Sequence, residues 1–210
     1  MRKSISILAI LFVGLLGTKW AKADTCNGVS ATANLVINCN FGTGNFTGWT
    51  GTSTTDPIAA GVTSGVNQGF PATFNNEAFE AFLGSVQVDE TLTQNLKTVA
   101  GQSYMVQFAL MNDTTPFAPL TSDPNNFTVD FGGETLFTET NTPADAYTLY
   151  TFTGIATSDL TALSFTSENS AGDFELDSIS ASAVPEPSTF MLLGTGLAAL
   201  AGVVRRRLSY

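Results

Sequence analysis

From Leu35 to Ile179 the chain repeatedly alternates apolar and polar residues with a period of two, the spacing that puts successive side chains on opposite faces of a strand. Leu35, Ile37, Cys39 and Phe41 fall on one predicted face, against Val36, Asn38 and Asn40. Tyr104, Val106, Phe108 and Leu110 repeat the pattern, as do Phe127, Val129 and Phe131, and then Leu163 and Phe165. Turn-forming clusters separate these runs: Gly42-Thr43-Gly44-Asn45, Ala100-Gly101-Gln102 and Asn169-Ser170-Ala171-Gly172. Gly132-Gly133 sits between Phe131 and Glu134 as a two-residue hairpin turn, because both central positions need positive φ. No sustained 3.6-residue period interrupts the region. The pattern predicts an all-β fold, an antiparallel β-sandwich, with fourteen of the sixteen phenylalanines available to fill the space between two sheets.

The two ends read differently. Met1-Arg2-Lys3, an apolar run of 13 residues from Ile5 to Gly17, and Ala21-Lys22-Ala23 have the order of a secretory signal helix. At the helical rise the run spans roughly 20 Å, short for a membrane anchor, which is the alternative. Cleavage after Ala23 leaves a predicted domain over 24–184. At the other end stand Pro185-Glu186-Pro187, an apolar stretch of 16 residues from Thr189 to Val204, and Arg205-Arg206-Arg207. The prolines keep a helix from starting before about Ser188. The stretch makes a short transmembrane helix of about 24 Å, and the arginines hold its end in the cytoplasm.

Charge narrows the chemistry. Between Asp24 and Ala183 there are seventeen acidic side chains and one basic, Lys97, a balance that repels phosphate backbones and rules out nucleic acid as a partner. The chain has no histidine, which removes Ser-His-Asp and Cys-His nucleophiles and most zinc chemistry. Composition therefore argues against an enzyme.

The tail resembles the PEP-CTERM sorting signal of Gram-negative bacteria that make exopolysaccharide: Pro185-Glu186-Pro187, a short helix with Gly194, Gly196 and Gly202, then the terminal arginines, over 185–210. The resemblance implies processing by exosortase, a membrane cysteine protease-transpeptidase. A plain C-terminal anchor is the alternative. More loosely, Leu35 to Phe41 with Asn45-Phe46-Thr47-Gly48-Trp49, and Phe174 to Ile179, resemble the opening and closing strands of carbohydrate-binding-type jelly rolls. The segments 79–84, 91–108 and 127–136 resemble the strands between them. The chain departs from that pattern at Cys39 (usually Gly), at Gly42 (usually acidic) and at Asp177-Ser178 (usually two aspartates).

Few constellations remain as candidate sites. Cys26 and Cys39, the two cysteines, reach an oxidising compartment and form a predicted disulfide, with two buried free thiols as the alternative. Trp49 is a candidate glycan contact through its ring, or a core aromatic at the start of a strand; the neighbouring Gly48 and Phe46 favour the core. Asp173, Glu175 and Asp177 alternate with Phe174 and Leu176, so three like charges line one predicted face. Solvent compensates them at an open edge, or a structural calcium does, aided by Asn38 and Asn40; the jelly-roll resemblance implies such a calcium between first and last strands. Glu77 with Glu80, or Asp130 with Glu134, are carboxylate pairs for glycoside hydrolysis, but no motif selects either. The Pro- and Thr-rich loop from Asn112 to Asn126 is a binding rim or a crossover.

The expected protein is thus exported across the inner membrane, processed by exosortase, and structural or interactive in envelope or biofilm. An exopolysaccharide-binding module is the alternative, and a carboxylate-type hydrolase the third.

Overall fold

The computed structural model describes residues 26, 33–51, 60–63, 79–85, 88–113, 125–170, 172–185, 193–197 and 199–200. Among these, ten strands form where aromatic and β-branched residues alternate with polar ones: β1 (Thr50–Gly51), β2 (Ala60–Thr63), β3 (Glu80–Leu83), β4 (Glu90–Lys97), β5 (Ser103–Asp113), β6 (Asn125–Phe131), β7 (Glu134–Thr140), β8 (Thr148–Ile155), β9 (Leu160–Asn169) and β10 (Asp173–Ala183). Every pairing is antiparallel, in two sheets ordered β1-β4-β9-β6-β7 and β2-β3-β10-β5-β8. Leaving aside β1 and β2, which extend two edges, the orders 4-9-6-7 and 3-10-5-8 are those of an eight-stranded jelly roll. The predicted all-β sandwich is the fold.

The inner faces carry the phenylalanines. Tyr104, Val106, Phe108 and Leu110 of β5, with Phe174 and Leu176 of β10, meet Phe127, Val129 and Phe131 of β6 and Leu163 and Phe165 of β9. Phe108 stands at the centre, with ring centroids of Phe127, Phe137, Tyr150, Phe152 and Phe165 5.4–6.5 Å away. Burying each such ring contributes roughly 1.5–3 kcal/mol.

Local chemistry sets the register. Gly132 and Gly133 take φ of 63° and 85°, closing the β6–β7 hairpin with Phe131 opposite Glu134. In β10 the pairing with β5 slips between Asp177 and Ser180, and Ser178 has φ of 51°. This bulge changes the parity of the strand: Phe174 and Leu176 point inward before it, Ile179 and Ala181 after it.

The segment 33–41 departs from the predicted strand. It is a run of turns, in which Val36 is buried and Ile37 is half exposed, the reverse of the expected faces. Side-chain hydrogen bonds outcompete a ladder there. Asn34 Oδ1 accepts from the amides of Val36 and Ala181, and Asn38, at φ 52°, accepts from Thr43 N and donates to Asn45 O. Two backbone bonds, Leu35 N to Ala181 O and Ile179 N to Cys39 O, still tie the segment to β10. The Cys26–Cys39 disulfide pins residue 26 to the same core.

The predicted signal helix and the loop 114–124 lie outside the described residues. Residues 193–197 and 199–200 are helical, and no helix among the described residues is long and apolar enough to cross a membrane.

Candidate functional site

The carboxylates of β10 do not form a solvated edge. β10 lies in the middle of its sheet, between β3 and β5, and Glu175 and Asp177 are 4% and 0% exposed. They point away from the phenylalanine core, towards a second, smaller apolar cluster of Ala109, Met111 and Tyr147. Glu80 of β3 joins them, fully buried. Asp173 stands opposite Asp113 of β5, and its carboxyl occupies the space where a side chain at Gly84 would begin.

Tyr147 reaches this face because the connection from β7 to β8 is anchored. Asn112, Asn125 and Asn169 close one end of the sandwich. Asn169 donates to Asn112 Oδ1 at 3.0 Å, and both Asn112 and Asn125 donate to the Thr142 carbonyl at 2.9 Å. Asp145 accepts from Asn112 N at 2.7 Å. Two residues on, the Tyr147 hydroxyl donates to Glu80 Oε2 at 2.7 Å and stands 3.3 Å from Glu175 Oε2. Burial, above all, pushes the Glu175 carboxyl up to about 9; the hydrogen bond and repulsion from Glu80, and the charge of Asp113, add to it, and Tyr147 partly opposes. Burial and the neighbouring charges of Glu80 and Glu175 raise Tyr147 as well. At neutral pH Glu175 is therefore protonated.

A second acidic group lies at the β7–β8 edge. Burial, then the charge of Asp145, raises Glu139 to about 7. Tyr150 is raised by burial and by both of these carboxylates, and its ring is 4.6 Å from that of Phe137.

At the opposite edge a cleft of about 180 Å³ opens between the sheets. Phe46, Leu83 and Leu92 give it apolar walls, Gly51, Ala60 and Thr91 its rim, and Glu90 a carboxylate at 4% exposure. Ser167 of β9 is directly across from Glu90 in the strand pairing. The hydroxyls of Ser167 and Ser85 are buried and have no hydrogen-bond partner among the described residues.

The sequence-derived candidates fare unevenly. Trp49 packs among Phe41 and Phe165 with its indole donating to Asn38 O at 3.3 Å; it is core, and offers no open ring face to a sugar. Of the calcium set, Glu175 turns to Glu80 and Tyr147, while the Asn38 and Asn40 oxygens accept from Thr43 and Gly42 amides. Among the described residues no three His, Cys, Asp or Glu side chains are arranged to take a metal ion. Asp130 accepts from Thr135 at 2.6 Å on an outward face, and Glu134 is exposed in the hairpin. Glu77, Glu186, Pro187 and Arg205 to Arg207 lie outside the described residues. The Glu80–Glu175–Tyr147 cluster and Glu139 were not singled out, because nothing in the local pattern says what covers a strand's polar face.

Beyond the sandwich, β10 ends at Ala183, and Val184 N still donates to Ser103 O at 2.9 Å. Pro185 then leaves the sheet. Residues 183–207 match the PEP-CTERM protein-sorting motif. The tail is a PEP-CTERM sorting signal. Such a motif implies a secreted, membrane-anchored precursor processed by exosortase for the cell surface. In fold, the chain is similar to the enzymatically active domain of tailspike protein 4 of bacteriophage CBA120, at 15% identity and a TM-score of 0.51, over 72% of this chain and 22% of that one. It is also similar to TmCBM61 in complex with β-1,4-galactotriose, at 14% identity and a TM-score of 0.49, over 72% and 99% of the two chains. A third likeness is the CBM22-1 xylan-binding domain from Paenibacillus barcinonensis, at 13% identity and 0.42, over 70% and 92%. No curated protein matches the chain.

Proposed function

We propose that this protein is exported across the inner membrane of a Gram-negative cell, held there by its tail, and processed by exosortase into a non-catalytic structural or interaction component of the cell surface, envelope or biofilm. The observation that carries the reading is the sorting motif beginning where β10 ends. Because β10 is central in its sheet and clamped through Val184, cutting beyond Pro185 leaves the sandwich whole. Pro185 and Pro187 keep the recognised segment extended, and Arg205 to Arg207 hold the far end in the cytoplasm.

Replacing Pro185-Glu186-Pro187 with alanines extends the helix outward and leaves full-length protein in the inner membrane. Membrane fractionation with C-terminal mass determination, in strains with and without the processing enzyme, reads this directly. The same intact Tyr210 terminus in both strains makes the tail an ordinary anchor.

A second reading, a module that binds exopolysaccharide, is favoured by the cleft between the sheets, where the apolar walls of Phe46, Leu83 and Leu92 meet Glu90 and Thr91.

A further inference from the structure

We infer that the end of the sandwich from which the tail leaves is a lipid-docking surface, where Val99, Ile155 and Leu160 dip into the outer interface of the bilayer that holds the precursor. The inference rests on the reading that the tail anchors the precursor there, and adds the surface that meets the lipid.

Connectivity brings these residues to one end. Lys97 closes β4 opposite Leu160, the first residue of β9, and Ser103 opens β5 opposite Ile155, the last of β8. The connections 98–102 and 156–159 therefore cross side by side between the sheets, joined by Thr98 N to Asp159 O, Gly101 N to Ala156 O and Ala156 N to Gln102 O. β10 ends at the same place, with Val184 N donating to Ser103 O. The order β10-β5-β8 puts Ile155 two strand spacings, about 10 Å, from that exit. Within the described sandwich three large apolar side chains are more than half exposed: Val99 at 61%, and Ile155 and Leu160 at 54% each. All three are at this end. Leu160 is on the outer side of one sheet, Ile155 on that of the other, and Val99 on the connection between, so they ring the tip. Val99 is held out by a tight turn, in which Gln102 N donates to Val99 O, Gly101 has φ of 81° and Val99 N donates to the Tyr104 hydroxyl.

Reach decides the occupant. The apolar stretch of the tail begins at Thr189, five residues after Val184, and five residues span at most about 17 Å. With the tail in the membrane, the tip cannot move further than that from the interface. The other end of the sandwich lies a strand's length away, about 35 Å for the 11 residues of β10. Apolar side chains kept that close to lipid gain by entering it. Charge agrees with this orientation. Glu90, Asp113, Glu168 and Asp173 stand at the far ends of β4, β5, β9 and β10. Lys97, the one basic residue between Asp24 and Ala183, is exposed at the near end, where its long stem lets the ammonium reach lipid phosphates. Asp130, Glu134 and Asp159 share the near end and limit entry to the depth of the headgroups. Docked end-on, the sandwich holds Pro185 where the tail enters the bilayer.

The test places the protein, purified with its tail from a strain lacking the processing enzyme, in phosphatidylcholine vesicles. An environment-sensitive fluorophore is attached at Val99→Cys or, at the opposite end, at Leu149→Cys; Cys26 and Cys39 are bonded to each other and do not react. Vesicle flotation reports the anchor, and quenching by brominated acyl chains reports the tip. The probe at 99 shifts to shorter wavelength and is quenched, and the probe at 149 stays in water. Ile155→Ser combined with Leu160→Ser abolishes the quenching at 99 while flotation and the melting midpoint are unchanged. Protein that floats with its 99 probe in water, or with both probes equally quenched, overturns the docking and leaves the anchor standing. Protein that does not float overturns the anchor and the docking with it. Protection at 99 that requires a membrane holding the processing enzyme overturns the lipid assignment in favour of a protein partner.

Discussion

Tyr147 donates its hydroxyl to Glu80 at 2.7 Å while standing 3.3 Å from Glu175, so one phenol links two buried carboxyl side chains from β3 and β10. Asp113, Asp173 and Asp177 surround the pair from β5 and β10. The sequence's one basic residue between Asp24 and Ala183, Lys97, lies on the other sheet. Protonation of Glu175 is the compensation that remains.

Stability should therefore fall as pH rises. Glu175 titrates near 9 in the folded protein and near the usual carboxylate value when unfolded, so between those values the folded state binds the extra proton. Glu139, raised to about 7, adds to the same slope in its lower half. Urea midpoints measured across this range should decline steadily, and Glu175→Gln should flatten the part above pH 7. A midpoint that rises towards alkaline pH contradicts the raised Glu175 carboxyl.

Removing the bridging hydroxyl has a specific cost. Tyr147→Phe keeps the ring on Ala109 and Met111 but takes the donor from Glu80, and should destabilise by about 1–3 kcal/mol. In a double-mutant cycle with Glu80→Gln the two changes should be non-additive, since they break one network. Additive losses would separate the two residues energetically.

The disulfide closes a loop with a sequence separation of 13. Its reduction should cost about 3 kcal/mol on the chain-entropy account. Native protein should show no free thiol by mass under non-reducing conditions. Alkylation of both cysteines without denaturant would contradict the bridge.

Gln94 does for Ile37 what a neighbouring strand would do. Its Oε1 accepts from Ile37 N at 2.8 Å and its Nε2 donates to Ile37 O at 3.0 Å. Gln94→Leu leaves both groups without the amide, and should cost about 2–3 kcal/mol while amide exchange rises along 33–41 first. Uniform exchange across the domain would mean that the segment is not held there.

What the sequence by itself determined is local or carried in a contiguous signal. The sorting tail is one such signal. Strands β5, β6 and β9, and the Gly132-Gly133 turn, follow from period two and from the need for positive φ at adjacent positions. The disulfide followed from there being two cysteines and one pairing. Period two also separated Asp173, Glu175 and Asp177 from Phe174 and Leu176 correctly. It could not tell what would lie over the carboxylate side, because that depends on β3, β5 and the β7–β8 connection, all distant in sequence. Only the tertiary structure brought Tyr147 and Glu80, 67 residues apart, to Glu175, turning an expected solvated edge into a buried cluster in which Glu175 keeps its proton. The same holds for 33–41: its alternation is that of a strand, but Asn34, Asn38 and Gln94 satisfy its backbone before a ladder can, and Val36 rather than Ile37 enters the core. A local pattern records which residues can share a face; which face is covered is settled by contacts between residues far apart in the chain.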